Sequence, residues 1–281
     1  MFVQSPEVVA EKVLDAQVLD ILLQTLCNEE ADADLRLTIL IVIANLTLDE
    51  KAMASISKND TVFSALVASL QSSTNDVVVK KAVCVALQNV SASGTANKNR
   101  ILGAGGVAAI VASVCAFSED ATMLESAFGL MKELLVTTNN SREDFAAKQF
   151  IADHDGKKIL LSAMKEHEDT PAVQRAACGV IAYLPFEKSD EVEKDVLLAE
   201  AILLAMKNHS DSAHVHFAAV EALLELVTHL DSVRKLLLLK ANANRELLLH
   251  AKSVSEACTA DVDDILAIAF SNEAKDSATE D

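Results

Sequence analysis

Tryptophan is missing from this chain of 281 residues, tyrosine occurs once (Tyr183), and proline occurs only at Pro6, Pro171 and Pro185. So little proline leaves long stretches in which nothing interrupts a helix. Seven glycines and 4% aromatic residues stand beside 51% hydrophobic ones, which points to a helical interior built from aliphatic side chains. Basic residues are also short, 24 Lys and Arg against 42 Asp and Glu, a formal charge of -18. Such a field repels phosphate backbones and anionic bilayers and favours basic protein partners, so generic nucleic-acid or polybasic membrane binding is disfavoured. The neighbouring pairs Lys80-Lys81 and Lys157-Lys158 read as solvated faces. Apolar runs such as Leu37 to Leu46 reach about half of the ~20 residues that span a bilayer, so no membrane insertion is expected. The opening MFVQSPEVVAEKV has no basic n-region and no unbroken apolar h-region, which argues against a cleaved secretory signal and for the cytoplasm, with the nucleus as a second compartment.

Signatures of chemistry are equally scarce. There is no Cys-x-x-Cys, P-loop, Gly-x-Ser-x-Gly or kinase motif. His214 and His216 lie two apart and so on different helix faces, and no histidine pair has i, i+4 spacing with a third ligand nearby. Gly103-Ala104-Gly105-Gly106 has no strand before it and reads as a turn, not a phosphate cradle. No enzyme, metal or cofactor is expected.

What is present is a repeat. Asp32, Asp76, Asp120, Thr170 and Ser212, all good helix caps, each stand thirteen residues before a reference position occupied by Asn45, Asn89, Glu133, Tyr183 and Glu225. The reference residues are spaced by 44, 44, 50 and 42, one supersecondary unit recurring with an insertion in its fourth copy. Twenty-three and twenty-two residues before them come Leu22-Leu23, Leu66-Val67, Ile110-Val111, Leu160-Leu161 and Ile202-Leu203, all aliphatic. Five residues before them stand Leu40, Cys84, Phe128, Cys178 and Val220, a core column in which cysteine acts as a small hydrophobe. Cys27 and Cys115 share another position, eighteen before the reference, and Cys258 falls outside the pattern.

Each unit therefore predicts an inner helix of about four turns after the cap and a helix of about three turns before it, carrying the aliphatic pair. A short leading helix precedes these in several copies, as at Ala96 to Gly103, with Gly105-Gly106 or Asp155-Gly156 as the reversal and the less permissive Thr61-Val62 in the second copy. One unit cannot bury both faces of its helices, but stacked units can, so the expected fold is an all-α superhelical solenoid with a continuous aliphatic core. Residues 1-270 form one domain in this reading, with repeats at 8-51, 52-95, 96-139, 140-188 and 189-231 and a degenerate capping copy at 232-270. Residues 271-281 read as a disordered acidic tail.

The stretch from Val77 to Val136 resembles armadillo repeats. Asn97-Lys98-Asn99-Arg100-Ile101 matches the family's polar lead, Gly105-Gly106 its turn, and Leu87-Gln88-Asn89-Val90 its Leu-x-Asn-Leu ending. The likeness extends over about residues 10 to 230 and implies an all-α, right-handed superhelical solenoid of armadillo or HEAT type. It implies that the third helices line a concave groove in which Asn45 and Asn89 bond the backbone of an extended peptide. Where import adaptors of that family carry Trp, four before the Asn, this chain has Ile41, Val85, Gly129, Gly179 and Glu221, so the resemblance does not extend to import-signal binding.

Residues four apart share a helix face, which groups Ile41 with Asn45, Val85 with Asn89, and Glu221 with Glu225. The expected groove comprises these six with Lys81, Glu125, Glu133, Arg175 and Tyr183. Tyr183 is the leading contact residue because Tyr joins a large apolar body to a polar tip, its other reading being a satellite core residue near Pro185. Glu125, Glu133, Glu221 and Glu225 could receive Lys or Arg from a partner, or simply be solvated. Asn45 and Asn89 have the alternative of bonding nearby loop backbone. The expected function is a non-enzymatic scaffold for an extended or helical, basic protein segment. A regulatory or chaperone-like role through end surfaces or end-to-end self-association is the second reading.

Overall fold

The computed structural model describes residues 16-28, 30-47, 53-54, 56-71, 76-136, 150, 154-186 and 191-270; the expected acidic tail and the start of the first repeat lie outside the described residues. Among the described residues every regular element is a helix. The chain divides into two compact units, Met1–Asn140 and Ser141–Asp281.

The first unit contains α1 (Ala16–Cys27), α2 (Ala33–Leu46), α3 (Asp60–Gln71), α4 (Val77–Ala92), α5 (Thr95–Gly103), α6 (Gly106–Ala116) and α7 (Ala121–Leu135). Like packs on like: α1, α3 and α6 form one row, and α2, α4 and α7 form a second row against it. The second unit contains α8 (Gly156–Glu166), α9 (Pro171–Ile181), α10 (Val192–Asn208), α11 (Ala213–His229), α12 (Asp231–Leu239), α13 (Ala241–Val254), a 3-10 turn (Glu256–Cys258) and α14 (Thr259–Phe270). Here α8, α10 and α13 make one row and α9, α11 and α14 the other.

All five anticipated caps stand at the N-termini of second-row helices, α2, α4, α7, α9 and α11. Asp76 Oδ1 accepts from the amides of Val78 (2.9 Å) and Val79 (3.1 Å), Asp120 Oδ1 from Met123 (2.8 Å), and Ser212 Oγ from Val215 (3.4 Å). Asp32 and Thr170 make no such bond, and at Thr170 the first helical residue is Pro171, whose φ is already set for a helix.

The core follows the repeat register. Leu40, Cys84, Phe128, Cys178 and Val220 are all buried, and each aliphatic pair has at least one fully enclosed member, with Leu22, Leu161 and Leu203 only half-buried. Gly105 (φ 86°) and Asp155 (φ 51°) take the left-handed conformation that starts α6 and α8. The glycine after each is there for space. A Cβ on Gly106 would lie 2.6 Å from Ile101 Cγ2, and one on Gly156 2.6 Å from the Phe150 ring.

Two elements depart from the expected pattern. Helix α10 runs 17 residues instead of about three turns, because no glycine or proline interrupts Val192–Asn208. The sixth copy, weak in sequence, is a full set of three helices, α12 to α14. No single described helix is long and apolar enough to cross a membrane; α5 and α6 pass only as a pair bent by 67°, and Ile101, Val107 and Ile110 on them are buried in the first unit's core.

Candidate functional site

Second-row helices carry the variable column, and their accessible faces are the candidate site. In the first unit Ile41 and Asn45 lie exposed on α2, and Val85 is exposed with Asn89 half-buried on α4. Ile41 keeps 49% and Val85 44% of its surface open, high for aliphatic residues on helices whose opposite sides are fully enclosed. Lys81 donates from Nζ to Thr122 Oγ1 (2.8 Å), which joins α4 to α7, and Thr122 donates in turn to Asp120 Oδ1 (2.6 Å). These bonds from the Thr122 hydroxyl and the Met123 amide hold the Asp120 carboxyl below its ordinary value.

Glu125 and Glu133 are half-buried on α7. Glu133 Oε1 lies 2.8 Å from Lys98 Nζ, on α5, and Lys98 also donates to the Val136 carbonyl. The third reference residue is thus tied to its own repeat. A Cβ on Gly129 would meet only the Gln88 side-chain amide of α4, at 3.4 Å, an ordinary contact.

In the second unit Arg175 is exposed on α9, while Gly179 is buried. Tyr183 lies beyond the end of α9, in a turn where its N–H bonds the Val180 carbonyl (3.1 Å), and 38% of its surface is open. The reference position is therefore not helical in this copy: Pro185 biases Leu184 away from helix, and α9 stops after 11 residues. The neighbours Leu184 and Phe186 take the core places instead. On α11, Glu221 turns Oε2 out of solvent, and Glu225 Oε1 lies 3.2 Å from His229 Nε2.

Sequence reasoning missed one column, nine residues before the reference. Lys80 Nζ donates to the Leu70 carbonyl (2.7 Å), Gln174 Nε2 to the carbonyls of Met164 (2.7 Å) and His167 (2.8 Å), and His216 Nε2 to that of Ser210 (2.9 Å). All three are buried, and each satisfies orphan carbonyls where the preceding first-row helix ends. The signal was available as a polar residue recurring at one register inside an apolar helix. In the polar lead, Asn97 serves the interior, its Nδ2 donating to Ser57 Oγ (2.8 Å), Ser93 Oγ (2.7 Å) and the Val90 carbonyl (3.1 Å), while Arg100 pairs with the exposed Asp60 (2.7 Å).

Burial pushes the Cys84 and Cys178 thiols up to about 12, far from a reactive thiolate. Among the described residues no three His, Cys, Asp or Glu side chains are placed to hold a metal ion.

Two rows of helices per unit, capped in register and presenting a variable face, define an all-α solenoid of stacked repeats. The chain belongs to the armadillo-repeat family whose profile is described as LRRK2 ARM repeat, which matches residues 2–274. Solved structures agree on the fold. An engineered protein superposes with a TM-score of 0.71 at 18% identity, covering 90% of this chain and 98% of that one. The designed armadillo repeat protein YIII(Dq)4CqI gives 0.66 at 16%, covering 88% and 99%. Another designed armadillo repeat protein, solved in complex with the peptide (KR)4, gives 0.65 at 16%, covering 90% and 99%. No curated protein sequence matches the chain.

Proposed function

We propose that this armadillo-repeat protein is a non-enzymatic scaffold that holds an extended or helical segment of another protein on the faces of its second-row helices. The observation that carries the reading is the recurrence of Ile41-Asn45 as Val85-Asn89, an open aliphatic residue beside an amide on adjacent helices of the first unit. Amides both donate and accept, as a peptide backbone does, so such pairs suit an extended chain. A basic partner accords with the charge of -18 and with Glu221 and Glu225 on α11, and the likeness to a designed protein in complex with (KR)4 supports peptide binding by this fold. The setting is cytoplasmic, with the nucleus as a second compartment, and nucleic acid is disfavoured by the same charge.

A peptide array probed with wild type and with Asn89→Ala combined with Tyr183→Ala tests the assignment. Loss of bound peptides supports it, and an unchanged pattern sinks it. A second reading rests on a different surface. Arg245, Leu249, Leu266 and Phe270 line an open groove of about 280 Å³ on the second unit, with the Arg245 guanidinium 4.6 Å above the Phe270 ring; Leu239, at the end of α12, is 80% exposed. An apolar face of this kind would support self-association; light scattering that shows a monomer at high concentration removes that reading.

A further inference from the structure

The variable face of the first unit is almost without usable charge. Its four columns run along α2, α4 and α7 at eleven, seven and four residues before the reference and at the reference itself. They read Asp34, Val78, Thr122; Thr38, Ala82, Ser126; Ile41, Val85, Gly129; and Asn45, Asn89, Glu133. Spacings of four, three and four residues keep each set on one side of its helix. Ten of these twelve residues are uncharged, in a chain that carries 42 acids.

One of the two carboxylates is already committed. Lys98 holds Glu133 at 2.8 Å, and its side chain, only 9% exposed, is fixed by a second bond to the Val136 carbonyl. An incoming lysine would have to displace a preorganised, largely desolvated partner, which is costly. At the margin, eight before the reference, Lys81 on α4 and Glu125 on α7 occupy the same column of adjacent helices with opposite signs. Meanwhile Ile41, Val78 and Val85 leave 44–49% of their surfaces open.

From this we infer that the first unit selects an extended segment with short, uncharged side chains, aliphatic toward the Ile41-Val85 shelf and hydroxyl or amide elsewhere, and that Lys98 sets this selectivity by withholding Glu133 from cationic partners. The inference rests on the peptide-binding reading and deepens it: affinity for basic segments does not arise on this face. Complementarity decides the choice, since a Lys or Arg stem placed on this shelf loses hydration without gaining an anion.

Two fluorescein-labelled peptides, (Val-Ser)4 and (Lys-Arg)4, titrated against the full chain in an anisotropy assay near physiological salt, test it. The expected result is that Ile41→Ser combined with Val85→Ser weakens (Val-Ser)4 at least fivefold and leaves (Lys-Arg)4 within twofold. Glu133→Gln, which keeps the fold's shape while removing the carboxylate, should not weaken (Lys-Arg)4. The inference is overturned if Glu133→Gln weakens (Lys-Arg)4, or if (Val-Ser)4 fails to bind or ignores the Ile41 and Val85 changes. The two readings fail differently. If (Lys-Arg)4 binds the chain while (Val-Ser)4 does not, only the selectivity of the first unit falls. If neither peptide binds, the peptide-binding reading falls as well.

Discussion

Acidification should destabilise the second unit through His216, and replacing it by glutamine should remove the effect. The ring is fully buried on α11, with Nε2 donating to the Ser210 carbonyl at 2.9 Å. That bond assigns the proton to Nε2, and Nδ1 has no hydrogen-bond partner, so a second proton would be buried without an acceptor. His250 on α13 reaches the same carbonyl (3.0 Å) and stands edge-on to His216 with ring centroids 5.7 Å apart, so a charge on either ring opposes one on the other. Burial above all holds the His216 pKa below its ordinary 6.5; the Ser210 bond opposes it, the His250 neighbour adds to it, and Asp211 opposes it least. The native state therefore takes up this proton later than the unfolded chain does. Stability is at its full value above pH 6.5 and falls as the pH drops from there toward the lowered native value, by at most about 1.4 kcal/mol per pH unit for one proton. Glutamine cannot titrate, and Gln174 makes the same kind of bond at the equivalent position of the preceding copy. In urea unfolding followed by circular dichroism, His216→Gln should match wild type within about 1 kcal/mol at pH 7.5, as expected when a hydrogen bond is replaced by another. Between pH 6.5 and 5.5 it should lose less. Parallel pH curves for the two proteins would refute the argument.

Three further outcomes follow from the packing. Asp76→Ala and Asp120→Ala should each cost about 1 kcal/mol, because their carboxylates accept first-turn amides, while Asp32→Ala, with no such bond, should cost clearly less; thermal melts of the three variants decide this. Lys157 and Asp195 form a buried pair at 2.6 Å in the second unit, both side chains at most 3% exposed. Lys157→Met should cost about 3–5 kcal/mol by stranding a buried carboxylate, and adding Asp195→Leu should recover part of it, as denaturant midpoints will show. Cys115, exposed on α6, should react with a thiol reagent at pH 8 in the native protein, whereas Cys84 and Cys178, pushed up to about 12, should react only on unfolding.

Much of the scaffold was legible before any coordinates. A cap, an aliphatic pair and a core column each depend on local rules, helix geometry and the need to bury apolar surface, so they recur wherever the unit recurs. Hence Asp76, Asp120 and Ser212 cap as expected and Cys84 sits beside Leu40, Phe128 and Val220 in one enclosed column. The site was legible only in outline. Ile41, Asn45 and Val85 are open as the face pattern implied, yet Tyr183 falls past its helix end, and Glu133 is held by a lysine 35 positions before it in the chain.

By itself the sequence determined an all-α armadillo-repeat chain with its caps and core register, because those features are periodic and periodicity is a property of the string. Tertiary structure alone decided which polar groups are spent inside and which face a partner. Lys157 to Asp195 and His216 to the Ser210 carbonyl are buried pairings, and Lys98 to Glu133 is a partly buried one. The cost of an unpaired buried charge or donor enforces them, and no spacing rule announces them. Where they fall, they remove a side chain from the surface available for binding, and that subtraction gives the first unit's face its neutral character.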